Sequence, residues 1–250
     1  MKKILIVIPL LFLTLGILRA QEDLARQAEN FYREGKYREA AADYNKILSE
    51  GLESFKLYYN LGNCYYKLGE NTRAILNYER ALLLKPGDAD AQYNLKMAQR
   101  QTVDKIDVLP ELFFIRWYKA VVSHYGADQW AYISIVFFVL FLGMVALFFY
   151  STSVGLKKIG FSAGILCLLL TLLTVIFTVQ QSRKLSERDY AIITTPSVTV
   201  KGAPDSSGTS LFVIHEGLKV KVIGTLGDWL NIQLVDGNEG WVLKSDLEKI

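Results

Sequence analysis

Apolar positions cluster unevenly along this chain of 250 residues. Three runs dominate, at residues 4–18, 131–150 and 159–179, and the stretches between them have the mixed polarity of ordinary soluble protein. The second and third runs contain no charged residue, and at a rise of ~1.5 Å per residue each can cross a hydrocarbon core of roughly 30 Å. They predict transmembrane helices over 131–150 and 159–179. Trp130 and Tyr132 at one end, and Phe148, Phe149 and Tyr150 at the other, fit the aromatic enrichment of membrane interfaces. The first run is shorter. Lying between Lys2-Lys3 and Ala20, it has the layout of a secretory signal peptide over 1–20, with Gln21 as the new N-terminus after cleavage. An uncleaved anchor is the alternative, because Arg19 adjoins the cleavage site.

Between the two long runs lies STSVGLKK, residues 151–158, whose only charges are Lys157 and Lys158. A short loop rich in Lys and Arg stays in the cytoplasm, so both flanks are predicted outside, in agreement with an exported N-terminus. Arg183, Lys184 and Arg188 in the polar linker 180–189 oppose this orientation and are partly offset by Glu187 and Asp189.

In residues 21–103 the pattern becomes helical and repeats. One constant shift superimposes Ala28 on Gly62, Phe31 on Tyr65, Tyr32 on Tyr66, Gly35 on Gly69, Ala40 on Ala74, Tyr44 on Tyr78 and Leu48 on Leu82. The small residues let antiparallel helices approach closely, and the aromatic rings fill the space beside them. With YNLGNCYYKLG, TRAILNYERAL and KPGD, this period of about 34 residues resembles the tetratricopeptide repeat (TPR), an all-α solenoid. Two repeats are expected, 21–54 and 55–88, followed by a closing helix in which Lys96 stands where Gly62 did. The resemblance implies a concave protein-binding groove lined by Arg26, Tyr32, Arg33, Lys56, Tyr59, Asn60, Asn63, Tyr66 and Lys67. It also disfavours the family's carboxylate clamp, since only Asn60 matches it; Ala25, Glu29, Asp90 and Asn94 occupy the other positions. Residues 21–105 hold 13 Lys/Arg and 13 Asp/Glu, which gives no warrant for nucleic-acid binding. Two repeats are few for a solenoid, so the exposed end face is expected to dock onto another protein.

Residues 104–129 place Leu112, Phe113, Ile115, Trp117 and Tyr118 among Arg116 and Lys119, a pattern that fits an amphipathic juxtamembrane segment resting on the membrane surface or packing on the end of the repeats. The two histidines, His124 and His215, stand apart and supply no ligand set for a metal. Cys64 and Cys167 lie in a repeat helix and a membrane span, so each reads as small apolar filler. No nucleophile–base pair, phosphate loop or ligand cluster emerges. The chain is therefore expected to be non-enzymatic, with no cofactor.

From Tyr190 the period falls to two. Val198/Val200, Val220/Val222 and Ile232/Leu234 alternate, and Asp236-Gly237 supplies a hairpin turn, predicting five or six short strands in an all-β barrel. HEGLKVKV, GDWLNIQLVDG and GWV resemble the bacterial SH3-like domain over residues 190–250. That resemblance implies binding of cell-wall peptides or proteins, and two readings stand for Trp229 and Trp241: a shallow ligand groove or the core.

The order of these parts is similar to the BatE-type proteins of the Bat (aerotolerance) operons. This implies a bacterial inner-membrane scaffold with periplasmic TPR and SH3-like modules, working with membrane proteins that bear von Willebrand A domains and with a MoxR-type ATPase. The alternative is an envelope tether whose SH3-like domain grips peptidoglycan while the TPR recruits a wall enzyme.

Overall fold

The computed structural model describes residues 21–105 and 112–250, so the signal-peptide reading of residues 1–20 lies outside the described residues. The chain divides into two compact units. One contains the helical repeats and the C-terminal sheet, and the other contains the long apolar helices.

The repeats comprise α1 (21–33), α2 (Tyr37–Ser49), α3 (Phe55–Lys67), α4 (Asn71–Leu84) and α5 (Ala89–Gln99). Their boundaries follow from local chemistry. Ser54 begins α3 by accepting the Leu57 N–H at 3.2 Å, and the helix ends at Gly69, whose φ of +80° a side-chain-bearing residue adopts only with strain. There Glu70 N–H reaches back to the Tyr65 carbonyl at 2.9 Å and Gly69 N–H to that of Tyr66 at 3.1 Å. Gly35, one repeat earlier, closes α1 with the same pair of bonds from Lys36 to Phe31 and from Gly35 to Tyr32. Ala28, Ala40 and Ala74 are fully buried, as helix contact points must be. At Gly62 the approach is closer still: a Cβ there would lie 2.7 Å from the Tyr78 ring.

In the same unit, β1 (Tyr190–Ile193), β2 (Ser197–Lys201), β3 (Ser210–His215), β4 (Lys219–Leu226), β5 (Trp229–Gln233), β6 (Glu239–Leu243) and β7 (Leu247–Lys249) form one antiparallel sheet in the order β3-β2-β6-β5-β4-β1-β7. Seven strands replace the five or six expected. β7, at three residues, is too short to display a period of two. Alternate residues, among them Val198, Val200, Val220, Leu230, Ile232 and Val242, form its core.

The second unit holds α6 (Phe113–Val122), α7 (Ala127–Tyr150) and α8 (Val154–Glu187). The latter two are long and apolar enough to cross a membrane. They pack along their length, and Gly160 permits the closest approach, since a Cβ there would lie 3.0 Å from the Met144 carbonyl oxygen. Thr171, Thr174 and Thr178 return their hydroxyls to carbonyls four residues back at 2.8–2.9 Å, which satisfies polar groups that lipid cannot. The α7–α8 connection is only Ser151–Ser153, so Lys157 and Lys158, expected in a loop, lie in the first two turns of α8. α8 also runs through most of the expected linker. Gln181 is buried there, donating to the Val122 carbonyl at 2.8 Å and that of Tyr125 at 3.0 Å. The Trp130 indole N–H adds a bond to Val122 at 2.9 Å, so the C-terminal turn of α6 is stitched to both long helices. The other face of α6, with Phe113, Phe114 and Trp117, is exposed.

Candidate binding surfaces

The first surface forms where α1 and α3 diverge. A cavity of ≈410 Å³ opens there, with Ala25, Ile47, Leu52 and Leu57 as apolar wall and Arg26, Glu29, Lys56 and Asn60 as polar margin. Glu29 sits between two cations, 2.8 Å from Arg33 and 3.7 Å from Lys56. Arg26 and Glu22 pair more loosely at 3.8 Å and stay largely exposed, so water screens them. Asn60 donates to the Tyr44 hydroxyl at 3.2 Å beneath this margin. Burial pushes the Tyr44 phenol up to about 12, so it remains neutral and available as a hydrogen-bonding group at physiological pH. The cavity thus offers an apolar wall, both signs of charge and a neutral amide–phenol pair, which suits a polypeptide better than a compact anion.

Of the nine residues expected along the groove, Arg26, Lys56 and Asn60 meet at this cavity. Arg33 reaches it through Glu29. Tyr59 and Asn63 instead build the joint between repeats: Asn63 Oδ1 accepts from the Tyr78 hydroxyl at 2.7 Å and from Asn94 Nδ2 at 2.9 Å, while Asn94 also donates to the Tyr59 hydroxyl at 3.2 Å. Tyr32 packs edge-on against Tyr37 with ring centroids 5.2 Å apart. Tyr66 is half-buried and Lys67 exposed, both away from the cavity. Sequence reasoning passed over Tyr44 and treated Glu29 only as a mismatch to the carboxylate clamp. The signal for Tyr44 was present in the sequence, because the pair Tyr44 and Asn60 recurs one repeat period later as Tyr78 and Asn94.

The second surface is the outer face of the sheet. Register places Leu226, Trp229 and Leu243 side by side across β4, β5 and β6, and sets Asn231 and Trp241 beside each other in the next row, flanked by Gly224 and Lys201. Both tryptophans, Trp229 and Trp241, are half-buried and neither belongs to the core cluster. Between them, Asn231 Oδ1 is buried without a hydrogen-bond partner. A buried acceptor left unsatisfied costs about 1–3 kcal/mol, which a ligand N–H would recover.

Residues 55–88 match the tetratricopeptide repeat. Residues 196–248 match the bacterial SH3 domain. The chain is similar to human tetratricopeptide repeat protein 16, 32% identical in an alignment 93 residues long that covers 32% of this chain and 11% of that protein. It is also similar to rat sperm-associated antigen 1, 29% identical over 77 residues, covering 31% of this chain and 9% of that protein. The chain therefore spans about a tenth of the length of the curated relatives it matches. Among the described residues, no group of three or more His, Cys, Asp or Glu side chains is placed to hold a metal ion. Cys64 and Cys167 are free thiols.

Proposed function

We propose that this protein is a membrane-anchored scaffold that acts by binding rather than turnover, holding partner polypeptides in the TPR cavity and on the tryptophan face of the SH3-like domain. The cavity at Arg26, Lys56 and Asn60 carries the reading, because its mixed charge and apolar wall suit an extended peptide segment. α7 and α8 form the anchor, and two spans return the chain to the face it left. Lys157 and Lys158 near the start of α8 favour a cytoplasmic turn, which supports a periplasmic position for the TPR and SH3-like modules at a bacterial inner membrane. The resemblance to BatE-type proteins extends this to a complex with von Willebrand A domain proteins and a MoxR-type ATPase, serving aerotolerance or envelope stress.

The test is in-cell crosslinking from a photoreactive residue placed at Arg26 or Lys56 in the full-length protein. Discrete membrane-protein adducts that disappear on Asn60→Ala are expected; adducts spread over unrelated proteins would sink the reading. The unsatisfied Asn231 acceptor between two tryptophans supports a second reading, a tether to cell-wall peptide. Solubilised full-length protein would then sediment with purified peptidoglycan, and Trp229→Ala with Trp241→Ala would abolish it.

A further inference from the structure

The TPR segment and the SH3-like domain belong to one compact unit although residues 106–189 separate them in sequence. The contacts between them are specific. α4 presents Thr72, Ile75, Glu79 and Arg80 on one face, spaced as helical neighbours must be. Lys219 lies 2.6 Å from Glu79, and Arg80 lies 2.9 Å from Glu248 while donating to the Lys249 carbonyl at 2.6 Å. The Thr72 hydroxyl donates to Glu216 at 2.8 Å. Beyond α5, Asp104 accepts the His215 backbone N–H at 2.6 Å, and its other oxygen stands 2.9 Å from the ring Nδ1.

The shape is fitted as well as the charge. Gly217, at φ +84°, turns the chain between β3 and β4, and a Cβ there would fall 2.7 Å from Thr102 Cγ2 and 3.3 Å from Ile75 Cδ1. Only glycine both makes this turn without strain and lets it seat so closely. Glu79 and Arg80 are adjacent and opposite in sign, and their partners Lys219 and Glu248, which flank Ile192 of β1 on either side, are opposite in sign too. Docking turned end for end would set like charge against like, so the pairs fix orientation as well as attraction. Arg80 is further held over the Tyr58 ring, 5.8 Å from its centroid. Solvent reaches the contact from two sides: a polar cleft of ≈580 Å³ bordered by Thr72, Glu216 and Glu248 adjoins it, and the exposed partners Glu248 (55%) and Lys219 (35%) let ions compete for the less exposed Arg80 and Glu79.

We propose that the outer face of α4 is the docking site for the chain's own SH3-like domain, and that the contact is a reversible ionic latch. Closed, it joins the TPR cavity and the tryptophan face into one receptor with two fixed surfaces, so a partner engaging one finds the other at high effective concentration. Opened by ionic competition, it releases them as two independent modules. Latching does not depend on which ligand either surface binds.

The experiment uses full-length protein in detergent micelles, with Cys64→Ala and Cys167→Ala as background and Thr72→Cys with Glu216→Cys as reporters for a short bismaleimide. Crosslinking within the monomer is expected in dilute salt and should fall severalfold in molar salt. Glu79→Lys and Lys219→Glu should each lower the ratio of closed to open roughly tenfold, the lower end of coupling for close interfacial charge pairs. Combining the two should restore it, which separates latch opening from misfolding. Crosslinks found only in dimers, yields indifferent to salt and charge reversal, or a swap no better than its single members would each overturn the proposal.

Discussion

Gly62→Ala tests whether the joint between repeats is as tight as its geometry indicates. The added methyl would meet Tyr78 Cε1 at 2.7 Å and Cδ1 at 2.8 Å, distances at which something must move. Tyr78 has little freedom to do so. It is 1% exposed, its hydroxyl donates to Asn63 at 2.7 Å, and its ring lies 6.1 Å from that of Tyr59. Overpacking of this kind costs about 1–3 kcal/mol, whereas replacing a mid-helix glycine with alanine gains about 1 kcal/mol of helix propensity. Because Tyr78 is pinned by burial and by its hydrogen bond, the clash falls in the upper part of that range, about 2–3 kcal/mol, leaving a net loss of about 1–2 kcal/mol, or roughly 5–30-fold in the local opening equilibrium. Hydrogen exchange of α3 and α4 amides in the micelle-bound full-length protein reads that equilibrium directly. In a Tyr78→Leu background the clash is relieved, and the same substitution should become neutral or stabilising. Unchanged or stronger protection for Gly62→Ala beside an intact Tyr78 would refute the reasoning.

Three further outcomes follow from burial and hydrogen bonding. Burial pushes the Cys64 thiol up to about 12, so iodoacetamide at mildly alkaline pH should leave it unmodified until denaturant is added; rapid labelling of the native protein would contradict its placement. Cys64 and Tyr44, with folded values raised to about 12 from 9.0 and 10.0, contribute stability that is full below pH 9 and is lost as pH climbs toward 12. Urea midpoints for the TPR segment should decline across that window, and a flat profile would count against buried neutral groups. Gln181→Leu leaves the Tyr125 carbonyl without its side-chain donor at a cost of about 1–3 kcal/mol, and trypsin should then cut faster after Arg116. An unchanged cleavage rate would mean that α6 is held by other contacts.

What the sequence disclosed depended on periodicity. One constant shift revealed the repeats because Gly35 and Gly69 end helices with the same two bonds, and Ala40 and Ala74 are buried at equivalent contact points. Alternation revealed the sheet wherever strands were long enough, and missed β7, which has three residues. Gln181 looked like linker because a polar residue near charges usually is one; only the tertiary fold turns it toward the carbonyls closing α6. The groove was half legible. Tyr59 and Asn63 occupy first-helix positions appropriate to a ligand surface, yet their polar atoms are engaged in holding α5 to α3 and α4. The pairs joining the TPR to the SH3-like domain left no pattern at all, since each is a single charge whose partner lies more than a hundred residues away.

That last separation sets a timetable for biosynthesis. Asp104 and Glu79 leave the ribosome long before His215 and Lys219, and at about 5–20 residues per second the 111 residues between Asp104 and His215 take roughly 6–22 s to make. Throughout that interval the repeats must survive with Glu79 and Arg80 facing solvent and the Ile75 side uncovered. A nascent chain is thus vulnerable first at α4, where a chaperone or protease would find its opening. A nonsense mutation anywhere downstream of the repeats would make that brief exposure permanent.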